Sequence, residues 1–404
     1  MLLGIDDTDS PSGMCTTYLG ALLARQLIKM HMPVREVRLL RLNPNVIYKT
    51  RGNAAICMDV NGDAESVFET ASELVSELAH FAHENTNPGV VVVENSPGPE
   101  FYWKAVRDFC TIEEAITVLE NAGALYKGFK NGRGLIGATA AVCSVLPDRT
   151  FEYLTYRNSN VFGSARGVNR GSLFEAEAST FPHTWDTVDV ENNTVVCVPH
   201  TPDPVLFGIR GESPSWVAFA RMQVNSEPTG IEQIFVTNQG TDAHLVEGKI
   251  GALTEGRSYR VTGMVCSHAK TGRGGHVSID LAEGEERVRC MAYEPTKGFR
   301  NVLRALWPGD RVSVTGSYKG GSVNLEKLCI LTLATAMSSR PPVCPSCNAR
   351  MTSAGFEKGY KCRKCGAREK EPEVTLHDRA ITPGWYEVPP VARRHLAKPL
   401  CRGP

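Results

Sequence analysis

The sequence predicts a multidomain protein in which an α/β part and an α+β part are followed by a small β-barrel and a metal-held ribbon. Three observations lead there. Apolar strand-like runs alternate with helical periodicity over the first 120 residues, five β-like runs crowd residues 257–333, and two Cys-x2-Cys pairs sit close together near residue 350. At 404 residues the chain exceeds what one hydrophobic core usually serves, so several compact units are expected.

Taken in order, LLGI reads as a strand, and Leu19, Leu22, Leu23 and Leu27 mark one face of a helix. VREVRLLRL and AAICMDV are strand-like, Ala64–His83 is helix-like, and GVVVVE returns as a strand. This α/β part covers 1–122. From about Gly123 the pattern changes to GLIGATAAVCSVL, read as a small-residue strand with a Gly-rich approach. FEYLTYR and TVVCVPHTPDPVLFGIRG follow, giving an α+β domain over 123–250. YRVTGMV, HVSIDL, RVRCMAY, RVSVTGS and SVNLEKL are five short strands, with the helical KGFRNVLRALW and its turn PGD between the third and fourth. That order is an OB-fold over 251–335, a barrel that commonly binds single-stranded nucleic acid or tRNA. A barrel without a ligand is the plainer alternative. A ribbon at 340–370 and a basic tail at 371–404 complete the chain.

Hydrophobic residues make up 42% and charged residues 22%, which excludes a disordered, collagen-like or coiled-coil chain. No apolar run is long enough for a membrane span, and MLLGIDDTDS turns acidic too early for a signal peptide, so a cytoplasmic protein without membrane partners is expected. The net charge of zero hides an asymmetry. Residues 340–404 hold 13 Lys+Arg against 6 Asp+Glu, so this stretch carries +7 and the remainder −7. A basic module on an acidic body suits a polyanion; a solvated tail without a partner is the alternative. Of 13 cysteines, four lie at metal spacing and the rest are scattered, so reduced thiols are expected in place of a secreted disulfide framework.

Those four are Cys344, Cys347, Cys362 and Cys365. Four thiolates so spaced close a tetrahedron around Zn2+ and replace a core too small to bury, which makes the site structural; a redox Cys-x2-Cys pair competes. At the other end, LLGI runs into Asp6, Asp7 and Asp9, carboxylates that repel one another unless neutralised. Mg2+ suits such oxygens and shares its shell with nucleotide phosphates, and the helix starting near Cys15, Thr16 and Thr17 offers N–H groups to an anion. An Asp-rich turn whose Thr16 or Thr17 caps a helix is the alternative. Lys49-Thr50-Arg51-Gly52-Asn53 and the stretch with Lys127, Lys130, Asn131, Arg133 and Gly134 could approach phosphates, or be solvated loops. There is no GxxxxGK[ST] motif. GRGLIG matches GxGxxG by letter but is expected to lead into a strand, which disfavours a dinucleotide site.

GIDDTDSPSGMCTTYLG, RLNPNVIYKTRGNAA, ENTNPGVVV, NGRGLIGATAAV, PHTPDPVLFGIRG and VTNQGTDAHL, followed by the barrel and the ribbon, closely resemble the archaeal isoleucine tRNA 2-agmatinylcytidine synthetases. The resemblance runs in order from Met1 to about Arg368 and leaves the last 36 residues uncovered. It implies a kinase-like α/β domain, a ferredoxin-like α+β domain, an OB-fold and a zinc ribbon. It also implies an ATP-dependent ligase that joins agmatine to carbon 2 of the wobble cytidine of an isoleucine tRNA with a CAU anticodon, releasing AMP and phosphate, so that the anticodon reads AUA. By motif, Asp6, Asp7 and Asp9 would hold Mg2+ and ATP. Thr16 resembles the family's autophosphorylated threonine, with Thr17 its close competitor. Thr8, Ser10, Thr17, Lys49, Arg51, Asn53, Lys130 and Arg133 would surround ATP. Thr201, Asp203, Gly208 and Arg210 would surround agmatine, with Asp203 facing its guanidinium. The partners are tRNA and agmatine, and no obligate protein partner is expected. Two other classes compete: a metal-dependent RNA hydrolase, and a non-catalytic single-strand binding protein.

Overall fold

The computed structural model describes residues 1–49 and 52–404. The chain begins β1 (Leu2–Asp6), α1 (Thr16–Lys29), β2 (Val34–Arg41), β3 (Ala54–Val60), α2 (Ala64–Leu78), β4 (Gly89–Val93), α3 (Glu100–Arg107), α4 (Ile112–Asn121), β5 (Leu125–Gly128) and α5 (Gly134–Val142). It continues β6 (Thr150–Arg157), α6 (Arg170–Thr180), β7 (Thr184–Trp185), β8 (Val188–Asp189), β9 (Thr194–Val195), β10 (Val205–Gly211), α7 (Pro214–Gln223) and β11 (Thr229–Thr237). Local signals set many ends. Asp63 accepts from Ser66 N to start α2, and Thr111 and Glu114 form a reciprocal capping box on α4.

The two halves share one nine-stranded sheet, ordered β5-β4-β1-β3-β2-β11-β6-β10-β7. The seam is β2 against β11, the sheet's parallel pair, in register through Arg38 with Val236 and Leu39 with Thr237. β4 is apolar throughout because both faces are covered. Val90 and Val92 join the core beneath α1 and α2, while Val91 and Val93 join the one beneath α3, α4 and α5. In the second half, Leu173, Ala176, Val217 and Ala220 of α6 and α7 pack on Leu206, Phe207 and Ile209 of β10.

The strand expected at GLIGATAAVCSVL is instead the helix α5. It is buried on nearly every side, so it has no polar face and no helical period to read. Its small residues let its backbone lie on the sheet. A β-carbon on Gly4 would overlap the Ala138 carbonyl, and one on Gly89 would overlap the backbone of Gly134. GRGLIG therefore does open a helix, but the strands before and after it, β5 and β6, lie far apart in the sheet with antiparallel neighbours, and its glycines serve packing, so no dinucleotide-binding βαβ unit results.

The barrel strands are β12 (Leu245–Glu247), β13 (Ser258–Val265), β14 (Lys270–Thr271), β15 (Val277–Glu283), β16 (Glu286–Ala292), β17 (Arg311–Lys319) and β18 (Ser322–Thr332). The five expected long strands are all present. α8 (Phe299–Ala305) sits between β16 and β17, and β13 pairs with both β15 and β17 to close the barrel. β19 (Met337–Arg340) leads to the ribbon strands β20 (Thr352–Ser353), β21 (Tyr360–Lys361) and β22 (Arg368–Glu369), and β23 (Glu373–Leu376) returns alongside β19.

Residues 371–404, expected as a basic tail, are instead folded into the body. β24 (Gly384–Glu387) adds a strand to β18. Arg379 pairs with Asp310 at 2.7 Å, Arg393 with Asp186, and Arg402 with Glu212 and Asp148 at 2.5 and 2.9 Å. Residues 371–404 hold 5 Lys+Arg against 4 Asp+Glu, and three of these arginines are paired with acids far away in sequence, so most of the positive excess of 340–404 lies on residues 340–370. No helix among the described residues is long and apolar enough to cross a membrane.

Candidate functional site

A cavity of about 730 Å3 opens between the two halves of the sheet. Its acidic side is the end of β1. Asp6 is the last strand residue, and Asp7 takes a left-handed turn at φ 61°. The Asp7 amide donates to Asp6 Oδ1 at 2.7 Å, and the Asn87 amide donates to Asp7 Oδ2 at 3.1 Å. A β-carbon at position 137 would collide with Asp6 Oδ2, so Gly137 of α5 makes the space in which this carboxylate lies. Burial and then the charge of Asp7 hold the Asp6 carboxyl well above the usual range. Burial likewise pushes Asp7 up to about 7, against the Asn87 amide. α1 starts beside them with Cys15 as N-cap and no side-chain cap, so neither Thr16 nor Thr17 plays the capping role. Thr16 Oγ1 accepts from the Thr8 amide at 3.3 Å and from the Thr8 hydroxyl at 3.1 Å, while Thr17 Oγ1 lies 3.0 Å from Cys15 Sγ.

The opposite side comes from β6, β10 and the loop before β10. Glu152 Oε2 accepts from Gln239 at 2.6 Å, and its Oε1 lies 3.3 Å from Arg210 Nε. Asp203 accepts from the Val205 amide at 3.0 Å and from the Thr201 hydroxyl, with Arg166 at 3.5 Å. Gly208 keeps the wall open, since a β-carbon there would sit 2.6 Å from Leu154 Cδ2 and 3.0 Å from Glu152 Oε1.

A second site lies apart. Cys344 and Cys365 sulfurs are 3.4 Å apart, Cys347 and Cys362 3.4 Å, and Cys347 and Cys365 3.6 Å. A tetrahedral zinc with bonds of about 2.3 Å spaces its sulfurs about 3.8 Å apart, so the four thiols fit zinc. Backbone amides, that of Cys365 first, bring the Cys362 thiol down to about 6, as a thiolate ligand requires. These four are the one group of three or more such side chains among the described residues whose ligand atoms all come within 4.8 Å of one another; Asp6, Asp7 and Asp9 are not drawn together that closely.

Models of TiaS domains match three stretches: a TCKD domain over residues 2–64 and 59–131, an FLD domain over 132–244, and a C-terminal zinc ribbon domain over 341–381. The isoleucine tRNA 2-agmatinylcytidine synthetase TiaS of Methanocorpusculum labreanum is 53% identical over 403 residues, covering 100% of this chain and 97% of its own. The chain belongs to the TiaS family. A solved complex of TiaS with an isoleucine tRNA and ATP superposes with a TM-score of 0.92 at 41% identity, covering 100% of this chain and 97% of that one. A complex of TiaS with an isoleucine tRNA, AMPCPP and agmatine gives 0.90 at 40%, covering 99% and 96%.

Set in the TiaS fold, most residues expected at the site line the one cavity. Asp6, Asp7, Asp9, Thr16, Thr17, Lys49, Asn53 and Arg133 come from the first half or its margin, and Thr201, Asp203, Gly208 and Arg210 from the second. Thr8 and Ser10 do not line it. They are fully buried behind it, Thr8 on Thr16 and Ser10 on His80 Nδ1 at 2.8 Å. Lys130 is also outside, its Nζ donating to the carbonyls of Phe81 and His83 at 3.2 and 2.6 Å. Arg51 lies outside the described residues. Arg210 lines the cavity, yet it is engaged with Glu152, Asp186 and His395, which leaves Asp203 and Glu152 as the acidic groups on that side. Sequence reasoning missed Arg41, Glu152 and His395, all of which face the cavity. Glu152 had a signal, a lone acid within the strand FEYLTYR. His395 had none, since its partners are remote in sequence.

Proposed function

We propose that this chain joins agmatine to carbon 2 of the wobble cytidine of an isoleucine tRNA with a CAU anticodon, using ATP and releasing AMP and phosphate. The single observation that carries the reading is the shared cavity. Acidic strand end, helix-start threonines and a second acidic wall meet in one space, in a chain whose solved relatives hold an isoleucine tRNA, an ATP analogue and agmatine together.

The chemistry fits those groups. An amine cannot displace oxide from carbon 2 of a pyrimidine, so the oxygen is first phosphorylated; the new C–N bond then forms as the C–O bond breaks, the oxygen departs with phosphate and the amine loses its proton. The conversion of ATP to AMP supplies a second phosphoryl group, which passes to Thr16 and leaves as phosphate on attack by water. Phosphoryl transfer needs positioning and neutralisation of charge. Burial raises the Asp6 and Asp7 carboxyls, so a cation is what would favour their ionised, acceptor-only form, and together with Asp9 they suit magnesium, which when bound would supply positive charge to the nucleotide phosphates. Lys49, Asn53 and Arg133 line the same cavity and suit ATP, with Thr8 and Ser10 shaping the loop from behind. Thr16 is the phosphate acceptor of choice, because it lines the cavity with the aspartates while Thr17 is turned to Cys15; its bonds from Thr8 would have to loosen for its oxygen to attack. Asp203 and Glu152 face the cationic amine and guanidinium of agmatine. We read the first half as kinase-like and the second as ferredoxin-like, and place the reaction in the cytoplasm. Extracting the base from its stack costs a few kcal/mol, which barrel and ribbon contacts to the tRNA offset.

The test is incubation with a minor isoleucine tRNA transcript, ATP, magnesium and labelled agmatine. Label in the RNA only when ATP is present supports the ligase. RNA cleavage in buffer without ATP would indicate a hydrolase, and RNA binding with no turnover would indicate a binding protein.

A further inference from the structure

One wall of the cavity has unspent cations. Arg41, at the end of β2, uses Nε on Gln239 Oε1 at 3.3 Å, and neither of its Nη atoms meets an acceptor among the described residues. Arg41 Nη1 and His395 Nε2 lie 2.6 and 3.7 Å from the point where a β-carbon on Gly52 would sit, so the two groups lie together beside Gly52, and all three line the cavity. Lys49 lines the same cavity and donates to the Pro44 carbonyl, which leaves ammonium protons to spare.

His395 comes from the segment after β24, which is bound firmly. The Gly240 amide donates to the His395 carbonyl and the Asp242 amide to the Leu396 carbonyl, each at 2.8 Å, and the Lys398 amide donates to Asp242 Oδ1 at 2.7 Å. Arg210 Nη2 lies 2.7 Å from His395 Nδ1. A guanidinium only donates, so Nδ1 accepts and the ring proton is on Nε2. Burial, with Arg41, Arg210 and Lys49 nearby, holds the ring neutral. A neutral donor between an arginine and a lysine, in a half-closed cavity, suits an oxyanion.

We propose that Arg41, Lys49 and the Nε2–H of His395 form a phosphate-binding wall of the cleft, completed by the C-terminal segment. The inference rests on the reading that this cleft handles ATP and tRNA, and it adds Arg41 and His395 as binding residues. The phosphate is either one of ATP or one of the RNA backbone, and the experiment separates the two.

Full-length zinc-loaded wild type, His395→Asn, His395→Gln and Arg41→Gln are compared in three measurements: ATP affinity without tRNA, tRNA affinity without ATP, and thermal melting. Asparagine keeps an acceptor for Arg210 but offers no donor at the Nε2 position, whereas glutamine offers that donor. Expected is a loss of about tenfold or more for His395→Asn and Arg41→Gln, with His395→Gln within a fewfold of wild type. The loss falls on ATP if the phosphate is the nucleotide's and on tRNA if it is the backbone's. Unchanged affinity for both ligands in His395→Asn and Arg41→Gln overturns the wall. If the His395 variants melt early, Arg41→Gln, which leaves that ring in place, decides by the same two affinities. Variants that bind both ligands as the wild type does sink only this wall; wild type that binds neither ligand sinks the reading of the cleft.

Discussion

The cleft and the ribbon solve opposite problems. The cleft lies in a sheet whose cores hold dozens of buried apolar side chains, so that fold stands without its ligands and can hold carboxylates where water would not leave them. The ribbon's cluster of buried residues is Cys344, Met351 and Cys362. Two of those three belong to the four-cysteine set that fits zinc, so there a metal would take the place of the core. Where apolar burial supplies stability, the site can carry strain in charge; where the site supplies stability, it has none left for chemistry.

The sharpest way to break this contrast is to remove charge from the cleft. Asp6→Asn, Asp7→Asn or Asp9→Asn should cut both ATP cleavage and agmatine incorporation by a hundredfold or more in roughly isosteric variants, with the melting transition of the body kept. Thr16→Ala should abolish labelling of the protein by γ-labelled ATP with ATP binding largely retained, while Thr17→Ala keeps the label; phosphate mapped to Thr17 by mass spectrometry would reverse those assignments. In the ribbon the order of effects inverts. Cys362→Ser should release zinc, measured by metal analysis, and weaken tRNA binding severalfold or more, while nucleotide binding stays near wild type. A large loss of nucleotide binding would show that the two regions are not separable.

A smaller effect concerns salt. Lys358, Lys361, Arg363 and Lys364 are exposed on the ribbon, unlike the arginines of 379–402 that are paired within the body. Replacing these four by glutamine should flatten the dependence of log affinity for tRNA on log salt by roughly one unit for each RNA phosphate the ribbon no longer neutralises. An unchanged slope would move the RNA-binding surface to the barrel.

The smallest effect is a divergence with pH. Glu177, whose Oε2 accepts from the Thr187 amide at 3.3 Å, is pushed up to about 7 by burial and the nearby Asp186. Unfolded, it ionises near 4.5, so its contribution makes the body lose stability as pH rises from there to 7, by at most about 1.4 kcal/mol per unit. Acid should therefore favour the body at Glu177 while stripping zinc from the ribbon by protonating thiolates. Calorimetry of Glu177→Gln should show a flatter pH profile; an unaltered one would mean the carboxyl is solvated.

What could be read from the sequence follows the range of the interactions. The acidic loop was legible because its residues are adjacent, the barrel because its strands alternate and follow one another, and the cysteines because their spacing is the geometry. α5 was not, since a helix wrapped on all sides by protein carries no stripe. The fusion of the halves rests on β2 meeting a strand nearly 200 residues later, and nothing local marks it. The arginines of 379–402 read as a loose basic tail because Asp310, Asp186 and Glu212 are visible as partners only in space.

The folding-in of residues 384–402 also has a meaning in time. Synthesis runs from the amino end, and domains fold as they emerge. The aspartates and Thr16 are in place early, yet the wall that includes His395 is made after every other part of the cleft. A chain that stopped beyond the ribbon would carry the aspartates and the four cysteines but would lack the side of the cleft that His395 supplies. Order along the chain therefore sets an order of assembly: of the residues that line the cleft, His395 is the last to be made.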